Sequence, residues 1–170
     1  DGNWSYSFEM TDDEENIFIP VMDGIKQFQL NESGLLNAYI YHPNPNISGI
    51  SISTNENILI TSDVRFLSMY LFQDNSINEV NVLDFNDGGA TDLAFSENVL
   101  ATYDEVHDWI RLFNTDNLPV ISEVGHTPLF VLRNFWTGNL MRINGNYLTF
   151  LLPYEGINIY DISDASPPVH

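Results

Sequence analysis

Short runs of alternating apolar and polar residues, separated by turn residues, follow one another along the whole chain. Ile50-Ser51-Ile52-Ser53 alternates strictly, which predicts a strand with one face buried and the other polar. The same alternation runs through Gly156-Ile157-Asn158-Ile159-Tyr160-Asp161. Between the runs stand Asn31-Glu32-Ser33-Gly34, Thr54-Asn55-Glu56-Asn57, Asp74-Asn75-Ser76, Asn114-Thr115-Asp116-Asn117 and Asn144-Gly145. Asx and Ser side chains bond their own backbone at such corners. Asn-Gly also supplies the positive φ that a tight hairpin needs. No stretch sustains a period of 3.6, so helix content should be near zero.

The runs recur in register. A Glu-Asn pair followed by apolar residues stands at Glu15-Asn16, Glu56-Asn57 and Glu97-Asn98, and Gly145-Asn146 repeats it with Gly for Glu. The Asn positions are 41, 41 and 48 residues apart. An aromatic in the next run keeps step, at Phe28, Phe72, Phe113 and Tyr160. One run precedes each Glu-Asn: Trp4 to Glu9, Gly49 to Ser53, Thr91 to Phe95 and Thr137 to Ile143. A fourth follows the aromatic one, from Leu35 to Tyr41, Ile77 to Leu83 and Val120 to Val124. Four antiparallel strands every ~40–45 residues are the mark of a β-propeller blade. The expected fold is therefore all-β, with about four blades at residues 1–41, 49–83, 90–124 and 136–170. The last lacks its outer strand, so the wheel should be part of a larger propeller or be completed by other chains.

Residues 156–168, Gly-Ile-Asn-Ile-Tyr-Asp-Ile-Ser-Asp-Ala-Ser-Pro-Pro, resemble the core of the LVIVD repeat, with a looser version at Ile110 to Pro119. That resemblance implies a propeller of secreted or cell-surface proteins, with Asp161 ending a third strand just before the corner to a fourth. WD-repeat propellers share the period, but no Gly-His or Trp-Asp pair stands at the expected places.

Charge narrows the partners. The chain carries 24 acidic side chains against 5 Lys and Arg, a net −19 over 170 residues. Such a surface repels phosphate, which excludes nucleic acid and disfavours anionic lipid. No run approaches the roughly 20 apolar residues of a membrane-spanning helix. Without cysteine there is no disulfide framework and no thiolate site. A chain starting at Asp1 is expected to be a processed product or a piece of something longer.

His42, His107, His126 and His170 show no metal-ligand spacing, and His42 and His126, each beside turn residues, read as loop positions. Asp84, Asn86 and Asp87 beside Gly88 form the best local oxygen cluster, and calcium is the cation it would suit; no other cofactor is implied. Asn3, Asn31 and Asn46 head Asn-x-Ser triplets, the acceptors for glycosylation. Trp4, Trp109 and Trp136 are expected between blades. The reading that follows is a non-catalytic extracellular or cell-surface module that binds a protein partner or further copies of itself. The alternative is a hydrolase or lyase using carboxylates, and calcium, on one face of the wheel.

Overall fold

The structure is a computed structural model and describes residues 8–11, 15–21, 23–31, 33, 39–44, 51–55, 57–62, 65–85, 89–96, 98–128, 141–152 and 156–163. Those residues form four antiparallel sheets and no helix, so none of their segments is a helix long and apolar enough to cross a membrane. The first sheet runs β1 (Glu9–Met10), β2 (Asn16–Val21), β3 (Gly24–Gln29) and β4 (Ile40–Pro43). The second holds β5 (Ser51–Asn55), β6 (Ile58–Ser62), β7 (Phe66–Gln73) and β8 (Ser76–Asp84). The third holds β9 (Asp92–Ser96), β10 (Val99–Asp104), β11 (Trp109–Asn117) and β12 (Val120–Pro128). The fourth has β13 (Met141–Asn144), β14 (Tyr147–Leu152) and β15 (Gly156–Asp161). In every sheet each strand pairs with its sequence neighbour. The sheets are the blades of a β-propeller, one in each expected repeat. The outer strands run on past the expected limits to Pro43, Asp84 and Pro128.

One backbone hydrogen bond locks the same place in each sheet: Leu30 N–H to Glu15 O (2.9 Å), Phe72 to Asn57 (2.7 Å), Thr115 to Asn98 (2.9 Å) and Ile162 to Asn146 (2.9 Å). Two sheets share a bulge as well, between Met69 and Tyr70 and between Leu112 and Phe113. These equivalences correct the sequence alignment twice. Glu15, not Asn16, stands where Asn57, Asn98 and Asn146 stand. Tyr70, not Phe72, matches Phe28, Phe113 and Tyr160, because Ile17 faces Phe28, Leu59 faces Tyr70, Leu100 faces Phe113 and Leu148 faces Tyr160.

Alternation gives each sheet a back face toward the preceding sheet and a forward face toward the next. Phe18 and Ile25 on the first forward face meet Ile52, Leu59 and Tyr70 on the second back face. Ile60, Leu67 and Met69 meet Leu93, Phe95, Leu100 and Phe113. Ala101, Ile110 and Leu112 meet Met141, Leu148, Phe150 and Tyr160. Among the described residues no packing of similar extent joins the fourth sheet to the first.

The innermost strands depart from the expected pattern. Ile52 and Ser53 are both buried, as are Asp92 through Phe95, so these strands have no polar outer face. Adjacent sheets converge there, and β5 touches β9 as β9 touches β13. Small polar side chains fill the crowded space and bond across it. Ser53 Oγ accepts the Phe95 N–H (3.1 Å), and Asp92 Oδ2 accepts the Met141 N–H (2.9 Å). The expected strand segments at residues 4–7, 35–38 and 137–140 lie outside the described residues.

Leu112 is buried completely between the third and fourth sheets, whereas Val120 on the outer strand is exposed. In urea titrations Leu112→Ala should lower the unfolding free energy by about 2–5 kcal/mol. Val120→Ala should stay within about 0.5 kcal/mol of the parent.

Candidate functional site

The turns from second to third strand, and the crossings from each outer strand to the next sheet, share one end of the wheel. At that end of the third sheet six polar and aromatic side chains converge. Asp104 closes β10 and is fully buried. Its Oδ1 accepts the backbone N–H groups of Gly89 (3.2 Å), Val106 (3.0 Å) and His107 (3.2 Å). Its Oδ2 lies 2.9 Å from His107 Nδ1 and 3.5 Å from Arg111 Nη1. A carboxylate only accepts, so Nδ1 of His107 carries the proton.

Strand pairing supplies the rest. The β11–β12 ladder sets Arg111 opposite His126. Arg111 donates to Glu123 from Nε (3.2 Å) and Nη2 (2.5 Å), and its guanidinium lies over the Phe85 ring, 4.6 Å from the centroid. Glu123 Oε1 in turn lies 3.2 Å from His126 Nδ1. Trp109 stacks with the imidazoles of both His107 and His126, with centroid distances of 4.7 and 4.3 Å and interplanar angles of 23° and 13°. The expectation that Trp109 packs between blades is corrected: the rings stacked on it are two histidines of its own sheet, and it stands outside the buried core clusters.

A His held by a buried carboxylate is the orienting half of a general base. Here the carboxylate also gathers three main-chain donors, which makes it the keystone of the turn. Burial, with the Asp104 charge as the second cause, pushes the neighbouring Glu105 carboxyl above its ordinary value of 4.5.

A second polar network ties the first sheet to the second. Gln27 is fully buried and donates to Asn16 Oδ1 (2.8 Å) and Asn75 Oδ1 (3.1 Å). Its Oε1 lies 2.9 Å from His42 Nε2. Burial lowers the His42 pKa, so the neutral ring serves as the donor. Asn75 can reach because it and Asp74 form a two-residue turn with φ of 61° and 51°. Two open cavities flank these sheets. One of about 290 Å³ lies beside His42, Tyr70 and Glu79, and one of about 320 Å³ lies beside Asn98, Phe113 and Asn146 at the opposite end of the third and fourth sheets.

The positions singled out in the sequence scatter. His42 and His126 stand in strands rather than loops. Asp84 ends β8 and receives the Arg65 guanidinium on both oxygens (2.8 and 2.6 Å), while Asn86 and Asp87 lie outside the described residues. No three His, Asp or Glu side chains among the described residues gather as a metal site. Asn31 is exposed and its Oδ1 accepts the Ser33 N–H (2.9 Å), whereas Asn3, Asn46, Trp4, Trp136 and His170 lie outside the described residues. Asp161 does end the third strand of its sheet, and its Oδ1 accepts the Ser163 N–H (2.9 Å), a bond that lowers its pKa. The Asp104 cluster itself has no sequence motif. The only signal was the Asp-x-x-His turn followed by Trp109 and Arg111 on alternate positions.

No family model and no curated protein matches this chain. Solved structures do match its fold. A periplasmic gluconolactonase from Pseudomonas aeruginosa superposes with a TM-score of 0.69 at 11% identity, over 99% of this chain and 53% of the other. A chain of the Mitotic Checkpoint Complex gives 0.65 at 10% identity, over 100% and 51%. The WD40 domain of Toxoplasma gondii coronin gives 0.62 at 11%, over 95% and 43%. The shared feature is the propeller. This chain spans about half the length of the structures it matches.

Asp104→Ala would strand three N–H groups and one imidazole. Its unfolding free energy should fall by about 3–5 kcal/mol in urea titration. Glu105→Gln should act oppositely and depend on pH. A raised carboxyl contributes stability that is complete below its unfolded pKa and lost as pH rises through its folded one. Thermal melts should therefore show Glu105→Gln more stable than the parent at neutral pH, with the gap closing below pH 4.5.

Proposed function

We propose that this chain is a non-catalytic propeller module, secreted or cell-surface, that associates with protein through the faces of its sheets. The observation that carries this reading is the forward face of the fourth sheet. Tyr147 is 55% exposed there, Leu151 48%, Ile157 68% and Ile159 56%. At the equivalent positions of the third sheet, Ile110 and Leu112 are at 0%. A soluble protein rarely leaves a contiguous apolar patch of this kind without a partner. The net charge of −19 disfavours nucleic acid as that partner. The Mitotic Checkpoint Complex, a protein assembly, contains a structural relative, which supports protein as the partner class. The LVIVD-like segment at residues 156–168 supports the extracellular setting.

A hydrolase is the second reading. It is favoured by the gluconolactonase likeness and by His107 held on Asp104. Two measurements on the purified chain separate them. With glucono-δ-lactone, hydrolysis should proceed at the spontaneous rate, with or without His107→Ala. A photoreactive residue at position 159, irradiated in extract of the source, should give a protein adduct competed by excess unlabelled chain. The same residue at exposed position 106 should give none. Lactone turnover abolished by His107→Ala, with no adduct at 159, would replace the interaction reading by the hydrolase.

A further inference from the structure

The cavity of about 290 Å³ beside His42, Tyr70 and Glu79 lies between the first and second sheets, which already pack on one another. It is built from the β3–β4 pair of one and the β7–β8 pair of the other. Register sets His42 opposite Ile25 and Glu79 opposite Tyr70. Asn44 links the two sheets, donating from Nδ2 to Tyr70 Oη (3.1 Å) and to Glu79 Oε2 (3.0 Å). Both of its amide protons are then committed. The His42 tautomer is fixed from behind. Gln27 gives its amide N–H groups to Asn16 and Asn75, so its Oε1 takes the Nε2–H of His42. Burial holds the His42 pKa below its ordinary 6.5, so at pH 7 the ring is neutral and Nδ1 keeps a lone pair. Among the described residues neither His42 Nδ1 nor Glu79 Oε1 has a hydrogen-bond partner, and no Lys or Arg borders the cavity.

We propose that this cavity binds a guanidinium group on an aliphatic stem, carried by a free alkylguanidine or by an arginine side chain. The groups left over are two acceptors, one of them charged, so the ligand has to donate and to be cationic. A planar guanidinium offers a fork of N–H bonds that matches a carboxylate and reaches a second acceptor beside it. Ile25, Pro43 and Ile77 border the same space and would cover the methylenes of the stem. Size agrees with this. At about 290 Å³ the cavity falls just below the ~300–1,000 Å³ of drug-sized sites, which suits a group the size of one side chain. An anion would meet Glu79 and the field of a chain at −19, whereas a cation is concentrated by that field. The inference goes beyond the interaction reading and does not need it, since a free alkylguanidine involves no protein partner.

The test titrates the whole chain with butylguanidine, butylamine and butyrate, followed by NMR at neutral pH. Before any addition, long-range proton–nitrogen spectra should show His42 as the Nε2–H tautomer. Butylguanidine should then shift the His42 Nδ1 resonance and the Ile25 and Ile77 methyl signals saturably. Butylamine, which has no planar fork, should bind more weakly, and butyrate should leave the signals unmoved. Glu79→Gln keeps an acceptor for Asn44 at an exposed position, so circular dichroism melts should show it folded. It should weaken butylguanidine by about tenfold or more. N-acetylarginine amide separates the two sources. Binding as tight as butylguanidine points to an arginine of a protein, and its loss points to a free alkylguanidine. No saturable shift, an unchanged affinity in Glu79→Gln, or a His42 that carries its proton on Nδ1 overturns the proposal. So do shifts that spread over the acidic surface and vanish in moderate salt. Should Glu79→Gln not fold, butyrate or butylamine bound as tightly as butylguanidine overturns it in the same way.

Discussion

Every sheet in this chain has two apolar faces, and a single sheet cannot bury either. That constraint governs the molecule. Burying one Leu, Ile or Phe side chain is worth about 1.5–3 kcal/mol, but only if another surface covers it. Ile110 and Leu112 obtain that cover from Met141, Leu148 and Phe150, as Leu67 and Met69 do from Leu93 and Leu100. Stability in such an array is close to a sum over neighbouring pairs, and end units normally carry a polar outer surface. The fourth sheet is not built as such an end unit. Ile157 and Ile159 occupy the outer surface where a capping unit would place polar residues.

Apolar contact alone would let the sheets slide and rotate on one another. Directed polar bonds across the interfaces oppose that. Asn75, on the second sheet, receives both Gln27 and Gln29 from the first. Ser53 receives a main-chain donor of the third sheet, and Asp92 of the third receives one of the fourth. These bonds join near-axial or edge positions, one or two at each junction, so they fix an angle more than they add energy. Directed polar bonds specify one arrangement, and they recur at all three junctions, buried at the second and third.

The periodicity made the blades legible, because each sheet is one turn of the same pattern. What escaped was phase. A one-residue slip in a strand exchanges its faces, and anchoring on Asn16 rather than Glu15 would have turned Phe18 away from the second sheet. Phe18 instead meets Phe72 edge-on at 5.0 Å. The choice between Tyr70 and Phe72 was equally closed to sequence, since both occupy one face and a bulge shifts the count beside them. The Asp104 cluster was illegible for a different reason. Its members lie on three strands and one turn, and beyond the local pairs Asp104–His107 and Glu123–His126 they become neighbours only through ladder pairing, which no local spacing announces. Arg111 meets Glu123 because β11 and β12 pair, and Asp104 meets Gly89 because the preceding crossing returns there.

Charge and apolar surface divide the molecule between them. Of the five cationic residues, Arg65 is engaged by Asp84, and Arg111 by Asp104 and Glu123. Lys26 sits over the Tyr39 ring at 5.2 Å, and Arg142 donates to the Met141 carbonyl. These cations brace individual sheets, so most of the 24 carboxylates remain unneutralised. Like charge then opposes approach along the rims, and the opposition fades within about 10 Å in moderate salt. The fourth sheet's forward face carries Tyr147, Leu151, Ile157 and Ile159 together with one cation, Arg142, and one carboxylate, Asp161. An acidic protein would therefore be repelled along the rims more than on the flat of that sheet. Acidic surface and apolar surface are thus set on different parts of the molecule, the first opposing close approach of other anions and the second favouring burial.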